Sequence, residues 1–363
     1  MLSKRYHNDG RAIYPLNELQ IAIKKQIEEK IARGIYQFES VPCCICKGND
    51  FELLSEKDRY GLYMPVIICK HCGLVQTNPR MNRDSYNQFY KHEYRKLYNG
   101  VEVPTEHFFT LEYKRGKAIY DYLIKNNILK ELSAQPFVLE VGCSAGGVLR
   151  YFKEKGWRAK GVDLDEEYVH YGRKKHNLDL AVGTIHDVSF ADMPDIIIYA
   201  DVLEHILSPN IELIRVRQVL SGRGVLYVEL PGVKNLFPFF RDFLRLLQNA
   251  HTFHFSLASL VNLLELNGYQ LIVGDETIRS VFRKSEHDTN VAEVKNDYIE
   301  AMRYLKQWER LRFLFPLPPG EFNQLPKIVT LSVLIKLLKM TGLYNLVARI
   351  YRRLRAREKP VQD

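Results

Sequence analysis

The sequence predicts an α/β fold: a mostly parallel sheet with helices on both faces, preceded by a small cysteine-bearing ribbon and followed by further helices. Three observations carry this reading. Between Phe137 and Leu230, short apolar runs rich in β-branched residues alternate with segments of helical spacing, the pattern of strands joined by helical crossovers. These runs end so that Gly142, Asp163, Asp187, Asp201 and Pro231 fall at the carboxyl ends of strands, where α/β sheets bind ligands. Far upstream, the cysteines pair as Cys43-x-x-Cys46 and Cys69-x-x-Cys72.

The chain is organised around Phe137 to Gly147. The run Phe137-Val138-Leu139-Glu140-Val141 suits a strand buried on both faces. Gly142 and Gly146 open a tight turn that lets a ligand approach the backbone, and a helix from about Val148 to Lys155 offers free N–H groups at its start. The next strand ends in Asp163, an acid placed to take the hydroxyls of a ribose. A dinucleotide would want G-x-G-x-x-G, but the middle glycine position is Ser144 and Glu140 precedes the loop. A carboxylate there repels a pyrophosphate and attracts a cationic, amino-acid-bearing adenosine. The plainer alternative is a nucleotide-free α/β core with a glycine turn.

The remaining elements follow in order. Leu19, Ile23, Ile27 and Ile31 recur every four residues in a helix from about Leu16 to Arg33, stopped at Gly34. This stripe is expected to pack on the body of the protein or on a second copy. The two C-x-x-C knuckles are expected to give one structural zinc four thiolates, with a small ribbon between them; Cys44 is a spare and His71 points outward. Tyr86, Phe89, Tyr90, Tyr94 and Tyr98 follow at near-helical spacing and are read first as packing, with Arg80 and Tyr94 as candidate substrate contacts. Helices are expected at Glu112 to Asn126, Glu166 to His176 and Ile211 to Leu220, and strands at Leu180 to Ile185, Asp195 to Ala200 and Gly224 to Leu230. An insertion from Pro231 to Ala250, with Phe237, Phe239, Phe240 and Phe243, is expected to cover the active site. Ser256 caps a helix from Leu257 to Asn267, Tyr269 to Val273 is a strand, and Asn290 to Phe315 is helical. From Ile328 an apolar stripe with Lys336, Lys339, Arg349, Arg352, Arg353 and Arg355 suits either packing on the fold or contact with an anionic membrane surface. The domain reading is a helical arm at 1–40, a ribbon at 41–80, a helical linker at 81–134, the α/β domain at 135–283 and a C-terminal extension at 284–363.

Composition limits the alternatives. Hydrophobic content of 46% and charged content of 26% are those of a globular protein with a sizeable core. The net charge of +9 favours anionic partners in general. Clustered cysteines point to metal ligation in a reducing compartment rather than disulfides, and no signal peptide or bilayer-length apolar run is evident, so a cytoplasmic location is expected.

The ordered set from Phe137 to Asp163, followed by Asp201-Val202-Leu203-Glu204-His205, resembles the Rossmann-like class I S-adenosylmethionine-dependent methyltransferases over about Pro136 to Gly274. The Cys43 to Gly73 ribbon, Leu74-Val75-Gln76 and His254-Phe255-Ser256 narrow the resemblance to bacterial methyltransferases with an N-terminal zinc-binding domain, found among sugar C-methyltransferases and surface-polysaccharide clusters. That resemblance implies methylation of a sugar, sugar nucleotide or glycan. It implies that Glu140, Gly142, Ser144 and Gly146, with Cys143 in the same loop, line the methionine part of the cofactor, and that Asp163 takes both ribose hydroxyls. Leu164 would flank the adenine, with His186 and Asp187 at its amino edge, while Ala200 and Asp201 would hold the amino-acid end. His205 and His254 are the candidate general bases, and His251 a weaker one. A zinc-ribbon protein that binds or modifies nucleic acid is the competing reading. The knuckles carry few basic residues, so no nucleic-acid partner is expected. A methyltransferase of another small molecule is a further alternative, and the oligomeric state stays open.

Overall fold

The computed structural model describes residues 1–101, 103–132, 135–239, 241–286 and 293–314. Its strands are β1 (Phe38–Glu39), β2 (Phe51–Lys57), β3 (Tyr63–Cys69), β4 (Val75–Thr77), β5 (Arg80–Met81), β6 (Phe137–Val141), β7 (Arg158–Asp163), β8 (Asp179–Val182), β9 (Ile196–Ala200), β10 (Val225–Glu229), β11 (Phe253–His254), β12 (Tyr269–Gly274) and β13 (Arg279–Lys284). Its helices are α1 (Glu18–Ala32), α2 (Arg83–Phe89), α3 (Arg95–Asn99), α4 (Glu106–Lys125), α5 (Gly147–Glu154), α6 (Glu166–His176), α7 (Pro209–Val219), α8 (Phe243–Leu246), α9 (Leu257–Leu266) and α10 (Tyr298–Leu314). A π-helical turn, Tyr90–Tyr94, joins α2 to α3.

Seven strands form the main sheet in the order β12-β13-β10-β9-β6-β7-β8. β10, β9, β6, β7 and β8 run parallel, and β13 is antiparallel to both its neighbours. This is the Rossmann-like α/β sheet that the alternating pattern predicts. Successive residues of the central strands face opposite layers. Leu139, Ile197 and Leu226 enter one core, and Val138, Ile196, Ile198 and Tyr227 enter the other. The strand order reverses between β9 and β6, so the loops after these strands meet there, the crevice in which open α/β sheets bind ligands.

A second sheet holds the ribbon. β2, β3 and β4 form an antiparallel meander, and β11 adds to β4 through the pairs Phe253↔Gln76 and His254↔Val75. The ribbon sheet thus takes its last strand from the segment after β10. Cys43, Cys69, Cys72 and Leu74 also sit in the same apolar cluster as Leu139 and Ile197, and residues 1–309 make one compact unit. A second unit comprises residues 310–363, of which the structure describes the end of α10.

Asn17 and Gln20 cap α1 reciprocally, and Ile23 and Ile27 are buried against Phe89 and Leu97, so the isoleucine stripe packs on the body. Ser256 caps α9 as expected. The insertion after Pro231 does not cover the site as a whole. Val233, Leu236 and Phe243 pack with Leu54, Met64 and Val66 of the ribbon sheet, and Phe237 is exposed. Its last residues, Gln248 to Ala250, do reach the site described below. Phe240 and the basic stripe from Ile328 onward lie outside the described residues. Among the described residues, no helix is long and apolar enough to cross a membrane.

Candidate active site

Two glycine contacts bring α4 against the glycine loop. A Cβ on Gly116 would lie 2.7 Å from the Val148 carbonyl oxygen, and one on Gly147 would lie 2.6 Å from that of Phe109. This close approach sets Glu112 and Arg115 at the rim of the sheet. Arg115 Nη2 pairs with Asp201 at 2.6 Å and with Glu229 at 3.1 Å, bridging the ends of β9 and β10.

Gly142 has φ +71°, and a Cβ there would lie 2.4 Å from Val202 Cγ2, so the loops after β6 and β9 are in contact. Ser144 holds φ +52°, a left-handed conformation in which glycine is usual. Its N–H donates to Asp163 Oδ2 at 2.7 Å, and the Asp165 N–H donates to Asp163 Oδ1 at 2.8 Å. Arg95 Nη2 approaches both oxygens more loosely, at 3.5 and 3.4 Å. Glu140 Oε2 and Ser144 Oγ are buried without a hydrogen-bond partner. Burial, reinforced by the nearby Glu112 charge, pushes the Glu140 carboxyl well above the ordinary carboxylate range. A ligand ammonium group would satisfy and ionise it.

The other cofactor positions divide. Leu164, next to Asp163, is 57% exposed. Cys143 is buried in the loop, and Ala200 closes β9 before Asp201, whose φ is +55°. His186 and Asp187 are engaged elsewhere: His186 Nε2 meets Glu212 at 3.0 Å, and Asp187 accepts from Thr184 N–H at 2.8 Å and from its hydroxyl at 2.7 Å. Arg95 had no sequence signal. It lies over the Tyr168 ring at 4.3 Å and pairs with Asp163 at 3.4 Å and Asp165 at 3.1 Å.

Beyond Asp201 lies a buried cluster. Glu204, His205, His251 and His254 are all at most 5% exposed. His205 Nδ1 lies 3.0 Å from the Ala250 carbonyl oxygen, which makes it the protonated nitrogen and leaves Nε2 bare. Both nitrogens of His254 and both oxygens of Glu204 lack hydrogen-bond partners. Burial holds the His205 imidazole down at about 4 and His254 at about 3, so both are neutral near pH 7. Burial also makes them weaker proton acceptors than free imidazole. Rings stack outward from this cluster: Tyr94 lies 5.3 Å from His205, 4.5 Å from Tyr90 and 5.8 Å from Tyr98, which is 46% exposed. Tyr86 and Phe89 pack inward, as expected. Arg80 holds Glu39 at 3.0 Å and the Leu207 carbonyl at 2.8 Å.

The ribbon brings its four cysteines together. Cys43 and Cys72 sulfurs lie 3.4 Å apart, as do those of Cys46 and Cys69, and all four lie within 4.8 Å of one another. The N–H groups of Ile45 and Cys46 face the Cys43 sulfur, and those of His71 and Cys72 face the Cys69 sulfur. This is a thiolate set that fits a tetrahedral ion. Cys44 stands apart from it and His71 is exposed.

Residues 115–273 match the family model described as a methyltransferase domain. No match was found among curated proteins. Among solved structures the chain is similar to magnesium protoporphyrin IX methyltransferase from Synechocystis with bound S-adenosylhomocysteine, at 12% identity, covering 55% of this chain and 97% of that one, with a TM-score of 0.40. It is similar to an S-adenosylmethionine-dependent methyltransferase from Clostridium acetobutylicum at 14% identity, 55% and 99% coverage and a TM-score of 0.38. The CcbJ methyltransferase from Streptomyces caelestis gives 15% identity, 44% and 86% coverage and a TM-score of 0.35. The family match spans the glycine loop, Asp163 and the Asp201 to His205 turn. That stretch is a methyltransferase domain, and the protein is a methyltransferase enzyme.

Proposed function

We propose that the enzyme methylates a sugar, sugar nucleotide or glycan. The observation that carries this reading is the tyrosine ladder running from exposed Tyr98 through Tyr94 to His205. Sugars present apolar C–H faces that rest on aromatic rings, and their hydroxyls need polar groups at the end of such a platform. Glu204 and the histidines supply those groups. S-adenosylmethionine would lie along the rim, with Asp163 on its ribose and Glu140 and Ser144 toward its methionine part. It supplies an electrophilic methyl, so this chain's task is to align the acceptor and remove its proton. Of the candidate bases, His254 is the freer, with both ring nitrogens unpaired, while His205 is anchored through Ala250.

We also infer that Cys43, Cys46, Cys69 and Cys72 hold a structural zinc, since four thiolates leave no open coordination position for chemistry. The acceptor reading is tested by Tyr94→Ala with sugar nucleotides and methyl-labelled cofactor. Transfer should fall sharply while cofactor affinity holds. Unchanged transfer to a sugar acceptor would remove the ladder from the reading.

A further inference from the structure

Glu204, His205 and His251 are buried, yet each brings a donor atom to one point. Glu204 Oε1 lies 3.8 Å from His205 Nε2 and 3.8 Å from His251 Nε2, and the three donors lie within 4.8 Å of one another. These separations are too long for hydrogen bonds. A point equidistant from donors so spaced lies roughly 2.2–2.5 Å from each, close to the reach of bonds from zinc-class ions to nitrogen and oxygen. Both Glu204 oxygens lack a hydrogen-bond partner, a costly state for a buried carboxyl. The contact from His205 Nδ1 to the Ala250 carbonyl fixes the tautomer that presents Nε2, as the outer contacts of metal-bound histidines do. Gln248 Nε2 stands against His251 Nε2, and an incoming cation would displace it.

We propose that Glu204, His205 and His251 form a second metal centre, separate from the cysteine knuckles, that holds a divalent first-row transition cation and presents an open position to the acceptor's oxygen. Two imidazoles and one carboxylate with open positions are a ligand set of such ions. The placement suits the chemistry. Val202 of the same turn touches Gly142 of the cofactor loop, and Tyr94 of the ladder touches His205. A bound cation would polarise the acceptor hydroxyl. Its proton passes to His254, the oxygen–methyl bond forms as the methyl–sulfur bond breaks, and S-adenosylhomocysteine leaves uncharged. The His251 and His254 ring centroids are 5.4 Å apart, so the proton acceptor stands beside one of the cation's ligands.

The role in catalysis rests on the methyltransferase reading, but binding of the cation does not, so the test measures binding without acceptor. Zinc-loaded protein, its knuckles filled, is titrated with Co²⁺ and followed by visible absorption. A single Co²⁺ per chain should bind with bands lacking the intense sulfur-to-cobalt transitions of a thiolate site. Glu204→Gln and His251→Gln should weaken that binding at least tenfold, about 1.4 kcal/mol, while melting and cofactor affinity stay near wild type. No uptake of Co²⁺ by the zinc-loaded wild type would overturn the proposal without any variant. So would equal uptake by folded Glu204→Gln. Loss of S-adenosylmethionine binding in the wild type would instead overturn the cofactor assignment and leave the cation result standing.

Discussion

The backbone N–H of Ser144 donates to Asp163 Oδ2 at 2.7 Å, so the loop after β6 is pinned to the tip of β7. That carboxylate holds Ser144 in its left-handed conformation and, under the proposed cofactor reading, also takes the ribose hydroxyls.

Asp163→Ala should therefore weaken S-adenosylmethionine binding by more than tenfold, about 1.4 kcal/mol or more. Calorimetry reads this directly. Asp163→Asn keeps an acceptor for one N–H and should lose less. Equal affinity in the alanine variant and wild type would contradict the assignment.

Cofactor affinity should rise with pH. The Glu140 carboxyl is raised well above its ordinary value in the free enzyme, and a bound ammonium favours the ionised form. Binding then releases a proton wherever free Glu140 is protonated. Affinity is full above the raised value and is lost as pH falls through it. Calorimetry in buffers of different ionisation enthalpy should detect the released proton, and Glu140→Gln should abolish that release.

The sheet was legible in the sequence because β6, β9 and β10 are buried on both faces and read as continuous apolar runs. β13 was not. Arg279, Arg283 and Lys284 flank its apolar Val281-Phe282 centre, and it forms a hairpin with β12 through a turn around Asp275. The cofactor loop was legible because glycine, acid and strand stand in one short stretch. His205 and His254 were legible as residue types, but their meeting with His251 depends on the two-residue strand β11 pairing with the ribbon, which no local pattern signals. Glu204 was in plain view beside His205, and its role emerges once His251 is placed against both. Arg95 and Arg115 sit on helices with ordinary charge spacing and become site residues through the tertiary approach of α3 and α4.

Arg115→Ala should leave Asp201 and Glu229 facing each other without their shared cation. Losing charge-assisted hydrogen bonds of this kind costs about 2 kcal/mol. Thermal melting reads the loss, and Arg115→Lys should recover part of it, since an ammonium restores charge without the planar fork. No change in melting for Arg115→Ala would show that the bridge is energetically idle.

Cys69→Ser should lower zinc content and melting temperature together, because the knuckles share an apolar cluster with Leu139 and Ile197. Cofactor affinity should be largely kept, because Cys143, Ala145 and Val148 of the glycine loop belong to the cluster on the opposite face. Elemental analysis of wild type showing no zinc, or zinc unchanged in the variant, would remove the structural-zinc assignment.

The central claim is that the glycine loop delivers a methyl group to a sugar-bearing acceptor held between the tyrosine ladder and the histidine cluster. The most direct test incubates wild type and His254→Ala with methyl-labelled S-adenosylmethionine and a mixture of sugar nucleotides, nucleic acid and small-molecule acceptors, then identifies the labelled product. The account predicts label on a sugar nucleotide with wild type, and little label with His254→Ala despite unchanged cofactor affinity. Label on nucleic acid or on a sugar-free acceptor would contradict it.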